Sequence, residues 1–137
     1  MALNARPRKF GPVFAIFDGS DTIQYAYRDV AKASAYPPTH TPVDTLLASL
    51  AACILKSVQW AAGQQNAALQ PFSVRVEGVK ALDDPSRVGS IEITVLGRLV
   101  ADEALIAPIV EQAKSICTVS NTLNCPVSVT TEVNADA

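Results

Sequence analysis

The chain has 137 residues, of which 49% are hydrophobic and 18% charged, with a formal net charge of −2. That is enough apolar material for one domain to bury a core without metal or disulfide staples, on the order of two-thirds of its unfolded surface. The near-balanced charge, with no basic run longer than Arg6-Pro7-Arg8-Lys9, argues against nucleic acid as a partner.

Strands come first. Val13–Phe17 is an apolar run, Asp18-Gly19-Ser20-Asp21 a turn, and Thr22–Tyr27 alternates, so the opening segment reads as a hairpin. Three prolines, Pro37, Pro38 and Pro42, then predict a loop stiffened by fixed φ angles. A helix follows. Thr41 can cap it, Pro42 suits its first position and Asp44 completes a Thr-x-x-Asp capping box. Val43, Leu46, Leu47, Leu50, Ile54, Val58 and Ala61 recur at helical spacing as a buried stripe running to about Gln65. Cys53 stands beside Ile54, at the edge of that stripe. Ala48, Ala51 and Ala52 would permit close approach of another helix.

Phe72, Val74 and Val76, then Ile91, Ile93 and Val95, alternate with polar residues on either side of the turn Asp83-Asp84-Pro85-Ser86, which predicts a long hairpin. A second helix is expected from Asp102 to Ile116, with Leu105, Ile106, Ile109, Val110 and Ala113 on one face and Cys117 at its end. Val127, Val129, Thr131 and Val133 give a closing strand. The order ββ-α-ββ-α-β, with antiparallel connections, indicates an α+β fold with helices on one face of an antiparallel sheet. A single domain over residues 1–137 is expected.

The N-terminus is polar and lacks the apolar region of a secretory signal, and no stretch approaches the ~20 continuous apolar residues of a membrane helix. Three cysteines without an export signal fit a reducing, cytoplasmic setting, where free or catalytic thiols are the rule. With one histidine, His40, and no Cys-x-x-Cys, no metal site and no cofactor are expected.

The remaining chemistry is sulfur. Cys53 and Cys117 lie on different helices, and as unpaired cysteines they suit either a redox pair or small buried apolar positions. Around them, Thr-Pro-x-Asp-x-Leu-Leu-Ala-x-Leu-Ala-Ala-Cys (from Thr41) and Ala-Lys-x-x-Cys-x-Val-Ser-Asn-x-Leu (from Ala113) resemble the OsmC/Ohr family. The resemblance implies an intertwined homodimer and a thiol peroxidase site at Cys53 and Cys117. Cys53 would attack an organic hydroperoxide, Cys117 would resolve the sulfenic acid as a disulfide, and a dithiol or lipoyl-type reductant would reopen it.

The family's peroxidases also use a glutamate and an arginine. The glutamate position holds Val43 here, with Asp44 one residue later as its substitute or simply as a cap. Arg28, with Arg6 and Arg8 behind it, is the arginine candidate. Thr118 stands where proline is commoner. Cys53 is mid-helix, away from any helix N-terminus, and a free thiol is mostly protonated at neutral pH, so an activating cation is expected. Lys56, one turn on, could serve; its other reading is a solvated lysine. His40 reads as solvated. Trp60, Tyr25, Tyr27 and Tyr36 read as packing residues, and Cys125 as structural. The alternative to a peroxidase is a small-ligand binding protein of the same fold without turnover.

Overall fold

A computed structural model describes residues 8–84 and 86–135. Arg6, the N-terminal end of the basic run and Pro85 of the predicted turn lie outside the described residues. Strand β1 (Lys9–Phe17) and strand β2 (Gln24–Tyr27) form the expected hairpin, followed by a 3-10 turn at Val30–Lys32 and the long helix α1 (Pro42–Gln64). Strands β3 (Phe72–Lys80) and β4 (Val88–Leu96) form the second hairpin. A 3-10 turn at Glu103–Leu105, helices α2 (Ile106–Ile116) and α3 (Thr118–Thr122), and strand β5 (Val127–Glu132) complete the chain.

The five strands make one sheet in the order β2-β1-β3-β4-β5. The expectation of a wholly antiparallel sheet is corrected at its last strand: β5 runs parallel to β4, Ile91 facing Val127 and Leu96 facing Glu132. The physical reason is the connection. The chain leaves β4, crosses over through α2 and α3, and re-enters at the starting end, as a parallel pair requires. Arg75 on β3 reaches across β4 to the Glu132 carboxylate at 3.1 Å, tying the parallel strand to the antiparallel part.

Helix α1 is the spine of the core. Leu47, Leu50, Ile54, Val58 and Ala61 are fully buried against Val13 and Ala15 of β1 and Val74 and Val76 of β3, with Ile106, Ile109 and Ala113 of α2 closing the same cluster. By length and composition α1 is long and apolar enough to cross a membrane, but 56% of its most apolar stretch is buried inside the fold. Leu46 departs from the predicted stripe and is 38% exposed. At 100° per residue it lies on a flank in line with Cys53 and Trp60, which follow it at seven-residue intervals, two turns each.

The start of α1 is bolted to β1 by a bulge. The β1–β3 register shifts between Phe10 and Val13, and Gly11 has a φ of +80°, where a side chain's Cβ would sit 2.6 Å from the Val76 carbonyl oxygen. Glycine is therefore required there. Its N–H, turned out of the ladder, donates to Asp44 Oδ1 at 2.9 Å.

A candidate thiol pair

The two motif cysteines come together. Cys53 rides on the middle of α1, half-buried, while Cys117 occupies the junction between α2 and α3 and has no exposed surface. Cys53 packs against the core cluster that contains Cys117, close enough for each sulfur to feel the other's charge.

Cys117 has a local role as well. Its extended backbone ends α2, and its Sγ accepts the Ser120 N–H at 3.4 Å as the cap of the five-residue helix α3. The turn is fastened again where the Asn121 side-chain amide donates to the Ser115 carbonyl at 3.0 Å. Burial pushes the Cys117 thiol up to about 11; the N–H of Ser120 acts in the opposite sense, and the neighbouring Cys53 adds to the rise. Cys117 is therefore a neutral thiol at physiological pH.

The sign of the linked stability follows. An unperturbed thiol titrates near 9.0, so between about pH 9 and 11 the unfolded chain releases this proton while the folded one keeps it. The stability contributed is complete below pH 9 and is lost as pH rises towards 11. Two pH units correspond to about 3 kcal/mol. Urea titrations across that range should show the wild type losing up to about this amount more than Cys117→Ala. Parallel pH profiles for the two proteins would show that burial of this thiol does not set the alkaline limit.

The other candidates gather at the start of α1. Asp44, 1% exposed, accepts the Gly11 N–H and the Thr41 hydroxyl (2.8 Å to Oδ2), while Thr41 Oγ1 accepts the Asp44 N–H at 3.0 Å. The cap is thus formed, but the Asp44 carboxylate reaches the strand instead of closing the box on the Thr41 backbone. Asp44 lies nine residues before Cys53, about 13 Å along the helix axis. Arg28 sits exposed at the end of β2 with φ +67°, its N–H donating to the Pro12 carbonyl and its guanidinium 5.1 Å from the centre of the Tyr27 ring. His40 is exposed, as expected, and stacks on the same tyrosine with ring centres 3.9 Å apart. Lys56 is exposed.

Cys125 is half-buried and lines a cleft of about 650 Å³ with Leu46, Arg87, Val88, Leu123 and Asn124. Nothing in its sequence neighbourhood, a strand start before Pro126, signals that cleft. Among the described residues no group of three or more His, Cys, Asp or Glu side chains could hold a metal ion.

Comparison with solved structures returns the same architecture. The organic hydroperoxide resistance protein OhrB of Bacillus subtilis superposes with a TM-score of 0.54 at 20% identity, covering 89% of this chain and 97% of that one. An organic hydroperoxide resistance protein OsmC from Legionella pneumophila gives 0.57 at 15% identity over 88% and 95% of the two chains. An OsmC-like protein from Mycoplasma pneumoniae gives 0.55 at 18% identity over 86% and 94%. At these identities the likeness carries the fold. No curated protein matches the sequence. The family profile described as OsmC-like protein matches residues 37–132, a span that includes the cap, both cysteines of the pair and the parallel strand. The chain belongs to the OsmC-like protein family.

Proposed function

We propose that this protein is a two-cysteine thiol peroxidase for organic hydroperoxides. The observation that carries the reading is the proximity of a half-buried thiol on α1 to a fully buried one at the α2–α3 junction. Cys53, the accessible member, attacks as thiolate the distal oxygen of ROOH; the O–O bond breaks, the alcohol ROH leaves, and Cys53 becomes a sulfenic acid. Cys117 attacks that sulfur; its proton goes to the departing hydroxide, water leaves and a disulfide closes. A dithiol supplies the two electrons that reopen it. The Leu46–Cys53–Trp60 flank offers apolar surface to an alkyl substituent, each methylene covered being worth about 0.8 kcal/mol.

Asp44 enters this scheme through its observed bonds, as the anchor of α1, and Arg28 carries no step. Exposed Trp60 and Ile116 support a homodimer whose seam leaves Cys53 open to substrate, and three free cysteines suit a reducing cytoplasm. A monomer in sedimentation at micromolar concentration would remove the dimer from the reading.

The test is thiol loss in reduced protein after one equivalent of cumene hydroperoxide, followed by peptide mapping. Rapid loss of two thiols with a Cys53–Cys117 disulfide is expected. Loss no faster than that of free cysteine would favour a binding protein instead, for which the cleft beside Cys125 is the candidate site.

A further inference from the structure

Resting on that reading, the two sulfurs differ in a way that decides how the oxidised pair is reopened. In thiol–disulfide exchange the attacking thiolate bonds to one sulfur and the other departs with the electron pair. Cys53 is half-buried on a flank shared with exposed Leu46 and Trp60, while Cys117 has no exposed surface and is part of the main core cluster. Cys117 Sγ also already accepts the Ser120 N–H at the start of α3, so a donor is in place for charge arriving on that sulfur.

We propose that the reducing thiolate attacks Cys53 and expels Cys117. The Cys53–Cys117 bond breaks with its pair on Cys117, and a mixed disulfide forms between Cys53 and the reductant. The reductant's second thiol then attacks its own sulfur in that mixed disulfide and expels Cys53. Two electrons pass from the dithiol to the protein. The dithiol's two protons end on Cys53 and Cys117, and the reductant leaves as a disulfide.

One effect opposes this polarity. The burial that pushes the Cys117 thiol up to about 11 makes it the costlier leaving group. Two pH units at a Brønsted coefficient of about 0.5 amount to about tenfold in rate. Direct attack on Cys117 needs local opening of the core, and a core position is open in well under about one molecule in a hundred. Access outweighs leaving-group strength.

The test starts from protein oxidised with diamide in a Cys125→Ser background, which removes the third thiol. The disulfide is opened with 2-mercaptoethanol, a monothiol whose adduct persists, then quenched at the earliest times with acid and N-ethylmaleimide and mapped. The expected result is mercaptoethanol on Cys53 and maleimide on Cys117, by at least about ten to one. Equal labelling, or the adduct mainly on Cys117, overturns the inference and leaves the peroxidase reading intact. A Cys53 adduct in a protein inert to hydroperoxide would do the reverse. Failure of diamide to join Cys53 to Cys117 overturns both.

Discussion

Replacing Cys53 with serine is expected to lower hydroperoxide consumption by at least about 10³-fold. A nucleophile acting as a unit with its partner loses nearly all of its rate when removed, and a serine hydroxyl at neutral pH does not replace a thiolate. Coupled consumption of cumene hydroperoxide and a dithiol measures the effect, and wild-type turnover in Cys53→Ser would end the assignment. The companion variant separates the two roles. With Cys117→Ser, Cys53 should complete one turnover and then, lacking a resolving thiol, collect further oxygen to the sulfinic acid under excess peroxide. Mass spectrometry reads this as a gain of two oxygens on the Cys53 peptide. A Cys117→Ser protein that cycles normally with dithiol would show that the buried thiol does not resolve.

Asp44→Ala should cost about 3 kcal/mol of folding stability. The carboxylate is buried and holds two donors, the Gly11 N–H and the Thr41 hydroxyl, and each buried partner left unsatisfied costs about 1–3 kcal/mol. The Gly11 N–H has no ladder partner to fall back on, because the β1 bulge has turned it away from β3. Asp44→Asn keeps an acceptor for Gly11, and the Thr41 hydroxyl can rotate to accept from the amide, so less than half the loss is expected. Urea unfolding of the two variants decides the matter. If Asp44→Ala kept its stability and lost turnover, the carboxylate would act on the peroxide and its place as helix anchor would be secondary.

Most of the fold was legible because its signals are local. Thr41, Pro42 and the apolar spacing that follows define α1 to within one residue of its observed end at Gln64. The hairpins follow from alternation. What the sequence did not disclose depends on distant chain. The direction of β5 is set by the crossover through α2 and α3, and Val127–Glu132 would carry the same alternation in either sense. Helix α3, Thr-Val-Ser-Asn-Thr, is built from poor helix formers and exists because Cys117 Sγ and the Asn121 amide fasten its turn. Similarly, α2 was expected from Asp102, but Asp102 caps a 3-10 turn by accepting the Ala104 N–H, and the α-helix begins at Ile106. Of the site, the two cysteines could be named from their surroundings, whereas their proximity belongs to the packing of α1 on the α2–α3 junction. The second bond of Asp44, to Gly11, joins residues 33 positions apart and has no trace in the capping pattern that made Asp44 visible.

The placement of the thiol pair also makes oxidation a clasp. A disulfide between Cys53 and Cys117 would join the central helix to the crossover leading to the parallel strand, closing a loop between residues 64 positions apart. In the chain-entropy picture such a closure disfavours the unfolded ensemble by about 4 kcal/mol. Each catalytic cycle would therefore alternate between a fastened scaffold and a looser one, the reduced protein being the form more exposed to unfolding and proteolysis.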